Sequence, residues 1–388
     1  MESPALDMID TSPQHQILLI PDSQQEDEDD LTGVISYRDS VVVNADWTIE
    51  TINSQMSKGN IDLQPAFQRR NAWDDVRKSR LIESIIVGMP VPNIVLAENK
   101  EHKGRFIVID GKQRLAAINE FMNNQYKLRG LDIRKDLNSM ELSSLPTSDR
   151  EGLENSTIRS TVIKNWIDQN FLYSIFFRLN SGSLPLSPQE LRKALIGGNL
   201  LESIEEYLKK SESFHRIFGE GLDRRMRDSE LVLRFIAYDR DLQSYSGNFK
   251  EFLDTATRYY ENSWDSRRAE VDERLNRLDV SLDTTFSIFG NDSFKKWLGD
   301  KYEKVMNRAV FDCVARYFAD EDVSRLALSH KQQVIEAFQI TCMDPPFRDS
   351  VEKTPKTIGA TQFRIEKWGR DLSEALSLTY EENKYRIS

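Results

Sequence analysis

Along the first half of this chain apolar residues come in short runs bounded by turn residues, and along the second half they recur every three to four positions. The first pattern is that of strands and isolated helices, the second that of amphipathic helices. Order is expected to begin near Val34, with strand-forming residues over Ser36–Val43. Thr48 can cap a helix over Ile49–Lys58, in which Ile49, Ile52 and Met56 share one face and which Gly59 ends. A short strand, Ile61–Pro65, stops at its proline. A second helix fits Asp74–Val87, with Val76, Leu81, Ile82, Ile85 and Ile86 toward the core. Strands at Asn93–Ala97 and Arg105–Ile109 flank the hairpin loop Glu98–Gly104, and a helix covers Gln113–Met122.

From about residue 135 the pattern is helical, except for Ser156–Val162, which reads as a strand that completes the sheet. Helices are predicted at Asp168–Arg178, Pro188–Ile196, Leu200–Lys210, Ser229–Tyr238, Lys250–Tyr260, Arg267–Ser287, Val305–Phe318, Lys331–Thr341 and Gln362–Leu378. The fold class is therefore α+β, with the sheet in the first half and an all-helical second half. The expected division is a tail over residues 1–32, a domain over 33–200 and a helical domain over 201–388.

Charge changes this picture at one end. The formal net charge is −11, but residues 1–30 hold nine acids and no Lys or Arg; removing those nine from 63 acids leaves 54 against 52 bases. The body is nearly neutral and leaves room for a basic face, so the overall acidity does not exclude nucleic acid. The tail, ending in Gln24-Gln25-Glu26-Asp27-Glu28-Asp29-Asp30, reads as disordered and solvating, with occlusion of a basic groove as the sharper alternative. Two cysteines, Cys313 and Cys342, exclude a disulfide framework and a multi-cysteine zinc site, and both read as small buried residues of helices. No apolar run approaches the ~20 residues that cross a bilayer, so the expected location is the cytoplasm, with no membrane partner.

Three clusters carry candidate chemistry. The apolar strand Arg105–Ile109 runs straight into Asp110-Gly111-Lys112-Gln113-Arg114 and then a helix. A strand, a glycine turn and a helix start can hold an anion on the first-turn amides, with Arg114 gripping it bidentately, Lys112 adding charge and Asp110 able to hold a magnesium ion, orient an arginine or bind a hydroxyl. The same five residues are also ordinary turn-and-cap chemistry. The phosphate reading fails if Arg114 is buried in an internal ion pair with no open hollow above Gly111. A second cluster, Gln68, Arg69, Arg70 and Trp73, suits base stacking and phosphate contact, or else a core anchor with solvated arginines. A third follows the apolar segment that ends at Arg178-Leu179-Asn180. There Ser187, Pro188 and Glu190 form a capping box, and Asn180 either binds ligand or holds the loop.

In this order and spacing the clusters resemble the N-terminal family of GmrSD-type type IV restriction endonucleases, of the ParB/sulfiredoxin-like superfamily. The resemblance rests on Gln68-Arg69 with Trp73, Leu81–Ile85, Pro90 or Pro92, Asp110-Gly111-Lys112-Gln113-Arg114, and Arg178-Leu179-Asn180 with Leu186–Arg192. It is strong over about residues 35–200 and continues more weakly to Asn307–Asp312. It implies a small mixed sheet and a bound nucleoside triphosphate, GTP or ATP with Mg2+, that relatives in some cases hydrolyse. Carried over, Asp110, Gln113 and Arg114 are the catalytic candidates. Gln68, Arg69, Gly111, Lys112 and Asn180 bind the nucleotide, and Arg70 and Trp73 contact DNA. Lys112 stands where many relatives have Gln.

The resemblance further implies a sensor of foreign or modified DNA in an anti-phage restriction system. Larger relatives carry a His-Asn-His nuclease, and the four histidines here, His15, His102, His215 and His330, have no paired metal-ligand spacing. The expected partner is therefore a separate effector nuclease or toxin, and a homodimer is compatible with the reading. The alternatives are a ParB-like DNA-binding adaptor that does not hydrolyse, and an autonomous nuclease using Glu98 near Asp110.

Overall fold

The computed structural model describes residues 39–63, 73–100, 102–179, 187–223, 225–353 and 356–387. The chain forms two compact units, one ending at Leu195 and one running from Ile196 onward.

In the first unit the strands are β1 (Val41–Thr48), β2 (Ile61–Asp62), β3 (Ile94–Glu98), β4 (Phe106–Asp110) and β5 (Thr157–Lys164), in the spatial order β1-β5-β3-β4-β2. β5 enters between β1 and β3, antiparallel to the first and parallel to the second, so the sheet is mixed. β3 and β4 form the expected hairpin, and β2 adds at the far edge parallel to β4.

Helices α1 (Ile49–Ser57), α2 (Asp75–Ile86), α3 (Lys112–Met122) and α4 (Thr147–Asn155) bury their apolar faces with Ile94, Leu96, Val108, Ile158 and Val162. The alternate residues Val95, Ala97, Ile109 and Ile163 join a second core with Leu172, Tyr173 and Leu191 of α5 (Gln169–Leu179) and α6 (Pro188–Leu195). Period-two alternation thus sends β3 side chains into two separate cores. This is why Ile94-Val95-Leu96-Ala97 is continuously apolar.

Local signals match the caps. Thr48 Oγ1 accepts the Thr51 N–H at 3.1 Å, and Ser187 and Glu190 exchange side-chain-to-backbone bonds at 3.1 and 2.6 Å, a closed capping box. Two expectations are corrected. The described strand begins at Val41, and Val41, Val42 and Val43 are exposed on the sheet edge. Val76, expected in the core, is 39% exposed, because the first turn of α2 packs it against Gly130 rather than the sheet.

The second unit is built from α7 (Asn199–Lys210), α8 (Glu212–Phe218), α9 (Arg227–Asp241), α10 (Phe249–Glu261), α11 (Trp264–Phe289), α12 (Arg308–Phe318), α13 (Glu321–Ser329), α14 (Lys331–Met343), α15 (Pro345–Glu352) and α16 (Ile358–Ala375). A short hairpin, β6 (Tyr380–Glu381) with β7 (Arg386–Ile387), follows. One continuous core runs through these helices, with α12 buried along nearly its whole length. Cys313 and Cys342 are buried free thiols in α12 and α14, and burial pushes both up to about 12. No helix among the described residues is long and apolar enough to cross a membrane.

Candidate functional site

The apolar β4 delivers Asp110 to the end of the sheet, where Val95 of β3 lies opposite. Gly111 is the N-cap of α3 with φ +95°, a left-handed value that side-chain-bearing residues rarely adopt, and no side chain caps the helix. Strand, turn and helix therefore follow each other as expected. The helix starts one residue early, at Lys112, and its first intrahelical bond joins the Leu115 N–H to the Gly111 carbonyl at 2.9 Å. The first-turn amides lie beyond the reach of that ladder.

One side of the turn is closely packed. A Cβ on Gly111 would stand 2.6 Å from Ile94 Cγ2 and 3.1 Å from Arg114 Nη2. Arg114, 12% exposed, donates from Nη2 to Asp110 Oδ2 at 2.8 Å and to the Asn93 carbonyl at 2.9 Å. Ile94 occupies the side of Gly111 toward which a Cβ would point, and the guanidinium is in an internal ion pair, so a phosphate at this turn must displace Asp110 from Arg114. Here Gly111 is required by its backbone angle and by the approach of Ile94. Arg114 holds the Asp110 carboxylate and ties α3 to the start of β3. Two polar atoms at this turn remain without a hydrogen-bond partner though buried, Gln113 Oε1 and Arg114 Nε.

The other candidates are placed unevenly. Gln68, Arg69, Arg70 and Asn180 lie outside the described residues. Trp73 is half-buried against the α/β core, and the Arg77 guanidinium covers its ring at 4.7 Å. Its anchoring role is thus visible, while one ring face is already taken. Glu98 and Asp110 are not brought together. Glu98 sits opposite Phe106 at the loop end of the hairpin, accepting the Gly104 N–H, whereas Asp110 lies at the other end opposite Val95. This removes the pair on which an autonomous nuclease would rest.

Two residues went unsingled in the sequence. Asn93 enters through its backbone carbonyl, and Ile94 through its shape; neither contribution has a compositional signature. Glu83 of α2 is a third polar anchor, its carboxylate accepting the Asp132, Ile133 and Arg134 N–H groups at 3.3, 2.7 and 2.7 Å. Burial pushes its pKa up, but those three bonds and nearby Arg80 outweigh it and hold the carboxyl below its usual range.

No curated protein and no solved structure matches the chain at a significant level. A family model does: that of the GmrSD restriction endonuclease, N-terminal domain, over residues 49–197, from the start of α1 to just past α6. The matched span contains the hairpin, the Asp110–Arg114 turn and the capping box at Ser187. Residues 49–197 of this chain are therefore a GmrSD restriction endonuclease N-terminal domain, which suggests a role related to restriction systems.

Proposed function

We propose that the α/β unit binds the phosphates of a nucleoside triphosphate, GTP or ATP, at the β4–α3 turn. The protein then acts as a nucleotide-dependent sensor of foreign or modified DNA in a restriction-type defence system and signals to a separate effector. The start of α3 carries this reading: an eleven-residue helix with a left-handed glycine N-cap, no side-chain cap, and a buried Gln113 oxygen and Arg114 nitrogen beside it without partners. Uncapped first-turn amides and the positive end of the helix dipole favour a phosphate.

Because Arg114 is held by Asp110 and Asn93, the ion pair acts as a latch in this reading. Phosphate oxygens compete with Asp110 for the guanidinium, and release of the Asn93 carbonyl reports occupancy to β3. Asp110, once released, is placed to accept a proton or hold Mg2+, and Gln113 to orient water. Among the described residues no group of three His, Cys, Asp or Glu side chains could hold a metal. Mg2+ would therefore arrive on the nucleotide phosphates, with Asp110 as its protein ligand. Gln68, Arg69 and Asn180 complete the nucleotide contacts, and Arg70 and Trp73 the DNA contacts.

Thermal melting of the whole chain with each of ATP, GTP, CTP and UTP, with and without Mg2+, tests the proposal. A ligand at a hundred times its Kd stabilises by about 2.7 kcal/mol. For a unit of this size that is a shift of roughly 5–10 °C. Lys112→Glu, which places a negative charge in the first turn of α3, and Arg114→Ala are each expected to abolish the shift. A parent protein that no triphosphate stabilises refutes the reading.

A further inference from the structure

The helical unit contains a cleft of about 650 Å³ that belongs to no part of the site above, formed by the end of α9, the middle of α11, α12, the start of α13 and the terminal hairpin. That volume lies within the range of small-molecule sites. Five arginines are among its lining residues, Arg240, Arg274, Arg277, Arg316 and Arg386. One buried carboxylate, Asp239, sits among them, 3.3 Å from Arg274 Nε and 2.8 Å from Arg277 Nη1. Arg274 has a second partner in Glu270 at 2.9 Å. Arg240 lies over the Tyr259 ring at 4.5 Å and has Asp241 only at 4.0 Å.

Arg316 differs from Arg240, Arg274 and Arg277. Its Nε donates to the Tyr385 carbonyl at 3.2 Å and its Nη1 to the Tyr238 carbonyl at 2.9 Å. Among the described residues no carboxylate pairs with it, and its Nη2 has no protein partner. Two main-chain oxygens from different elements fix the plane of this guanidinium, and Asp239 acts on its charge without touching it. Burial penalises the charged form and shifts its pKa downward. A fixed, largely desolvated guanidinium with no carboxylate in contact, facing a ligand-sized cleft, is the arrangement that captures an oxyanion with charge-assisted hydrogen bonds.

We propose that this cleft is a second ligand site, for a small phosphorylated molecule of nucleotide size, with Arg316 binding the phosphate and Arg277 supporting it. The acidic residues Glu273, Asp320 and Glu321 lie exposed along the rim. They disfavour a long polyanion such as duplex nucleic acid, and a compact phosphate that reaches the inner arginines avoids them. The site is independent of the β4–α3 turn.

The test uses the whole chain and three probes: inorganic pyrophosphate, ATP, and a 5′-phosphorylated hexanucleotide. Binding is read by calorimetry and located by amide exchange. The expected result is binding of pyrophosphate and ATP with slowed exchange over residues 314–319 and 383–387. Arg316→Lys loses the planar fork, and Asn276→Glu adds a negative charge to an exposed lining position without touching the core. Each should weaken binding by about tenfold or more, the worth of one charged hydrogen bond. Stronger binding of the hexanucleotide than of ATP would overturn the small-ligand assignment. Binding that Lys112→Glu removes and Asn276→Glu leaves intact would place the ligand at the β4–α3 turn alone and refute the cleft. Absence of any exchange protection at the cleft by millimolar pyrophosphate and ATP would refute it as well.

Discussion

Replacing Asp312 by asparagine should destabilise the helical unit more than any equally small change in side-chain volume. Asp312 is fully buried on α12, and its two oxygens accept from Arg234 Nε at 3.1 Å and Nη2 at 2.6 Å. Arg364 of α16 adds a third bond at 3.3 Å. The carboxylate therefore ties α9, α12 and α16 together at one point. Asparagine keeps the shape and removes the charge. Arg234 is then left with Glu230 at 3.8 Å, beyond hydrogen-bond reach, and the Phe249 ring at 4.1 Å.

Removing one partner of a buried pair costs about 3–5 kcal/mol, because the remaining ion stays desolvated and unpaired. At roughly 2–4 °C per kcal/mol for a unit of this size, the melting temperature should fall by about 6–20 °C. Calorimetry on the whole chain, with Asp46→Asn as control, measures this. Asp46 pairs with Arg159 at 3.4 Å where both side chains are more than half exposed, and such pairs contribute at most about 1 kcal/mol. A fall for Asp312→Asn no larger than for Asp46→Asn would show that the buried pair does not hold these helices, and would refute the reasoning.

Gly111→Ala combines a left-handed backbone with a Cβ 2.6 Å from Ile94. A loss of about 2–4 kcal/mol in urea unfolding is expected, and a neutral effect would mean that the turn relaxes freely. Glu83→Gln should cost about 1–3 kcal/mol at pH 7, since an amide cannot serve three N–H donors as a carboxylate does. The Glu83 carboxyl is held below its unfolded value of 4.5, so its stabilisation is complete above that pH and fades as pH falls through the lower folded value. The Glu83→Gln loss in urea midpoint should therefore shrink at pH 3, and an equal loss at pH 7 and pH 3 would contradict the pairing. Cys313 and Cys342, buried with thiols pushed up to about 12, should resist a thiol-titrating reagent in the native protein and react fully in denaturant. Rapid native labelling would place either outside the core.

The helix caps at Thr48 and Ser187 were legible because a cap is a contact between residues three apart, and the sequence displays both partners. The long helices were legible because a buried stripe repeats each turn. The helices α4, α8, α13 and α15 were not anticipated: each is nine residues or shorter, too short for a stripe to stand out. They are held by neighbours and by caps such as Asp344 on α15. At the candidate site, the strand–glycine–helix order and the left-handed turn were readable from Asp110-Gly111-Lys112. That Asp110 could orient an arginine was among the open readings, but that Arg114, four residues later, folds back onto it was not decided. The sequence shows a cation and an anion at neighbouring positions without showing whether either faces outward.

By itself, the sequence determined the α+β class of the fold and the family resemblance of the span that holds the sheet. Those follow from local chemistry and from spacing along one chain. Only the tertiary structure decided that β5 enters the middle of the sheet, that Ile94 packs closely against Gly111, and that Arg240, Arg274, Arg277 and Arg316 line one cleft. The physical reason is the same in each case. Pairing between distant segments is selected by burial and charge compensation in three dimensions, and no local periodicity records which distant partner wins.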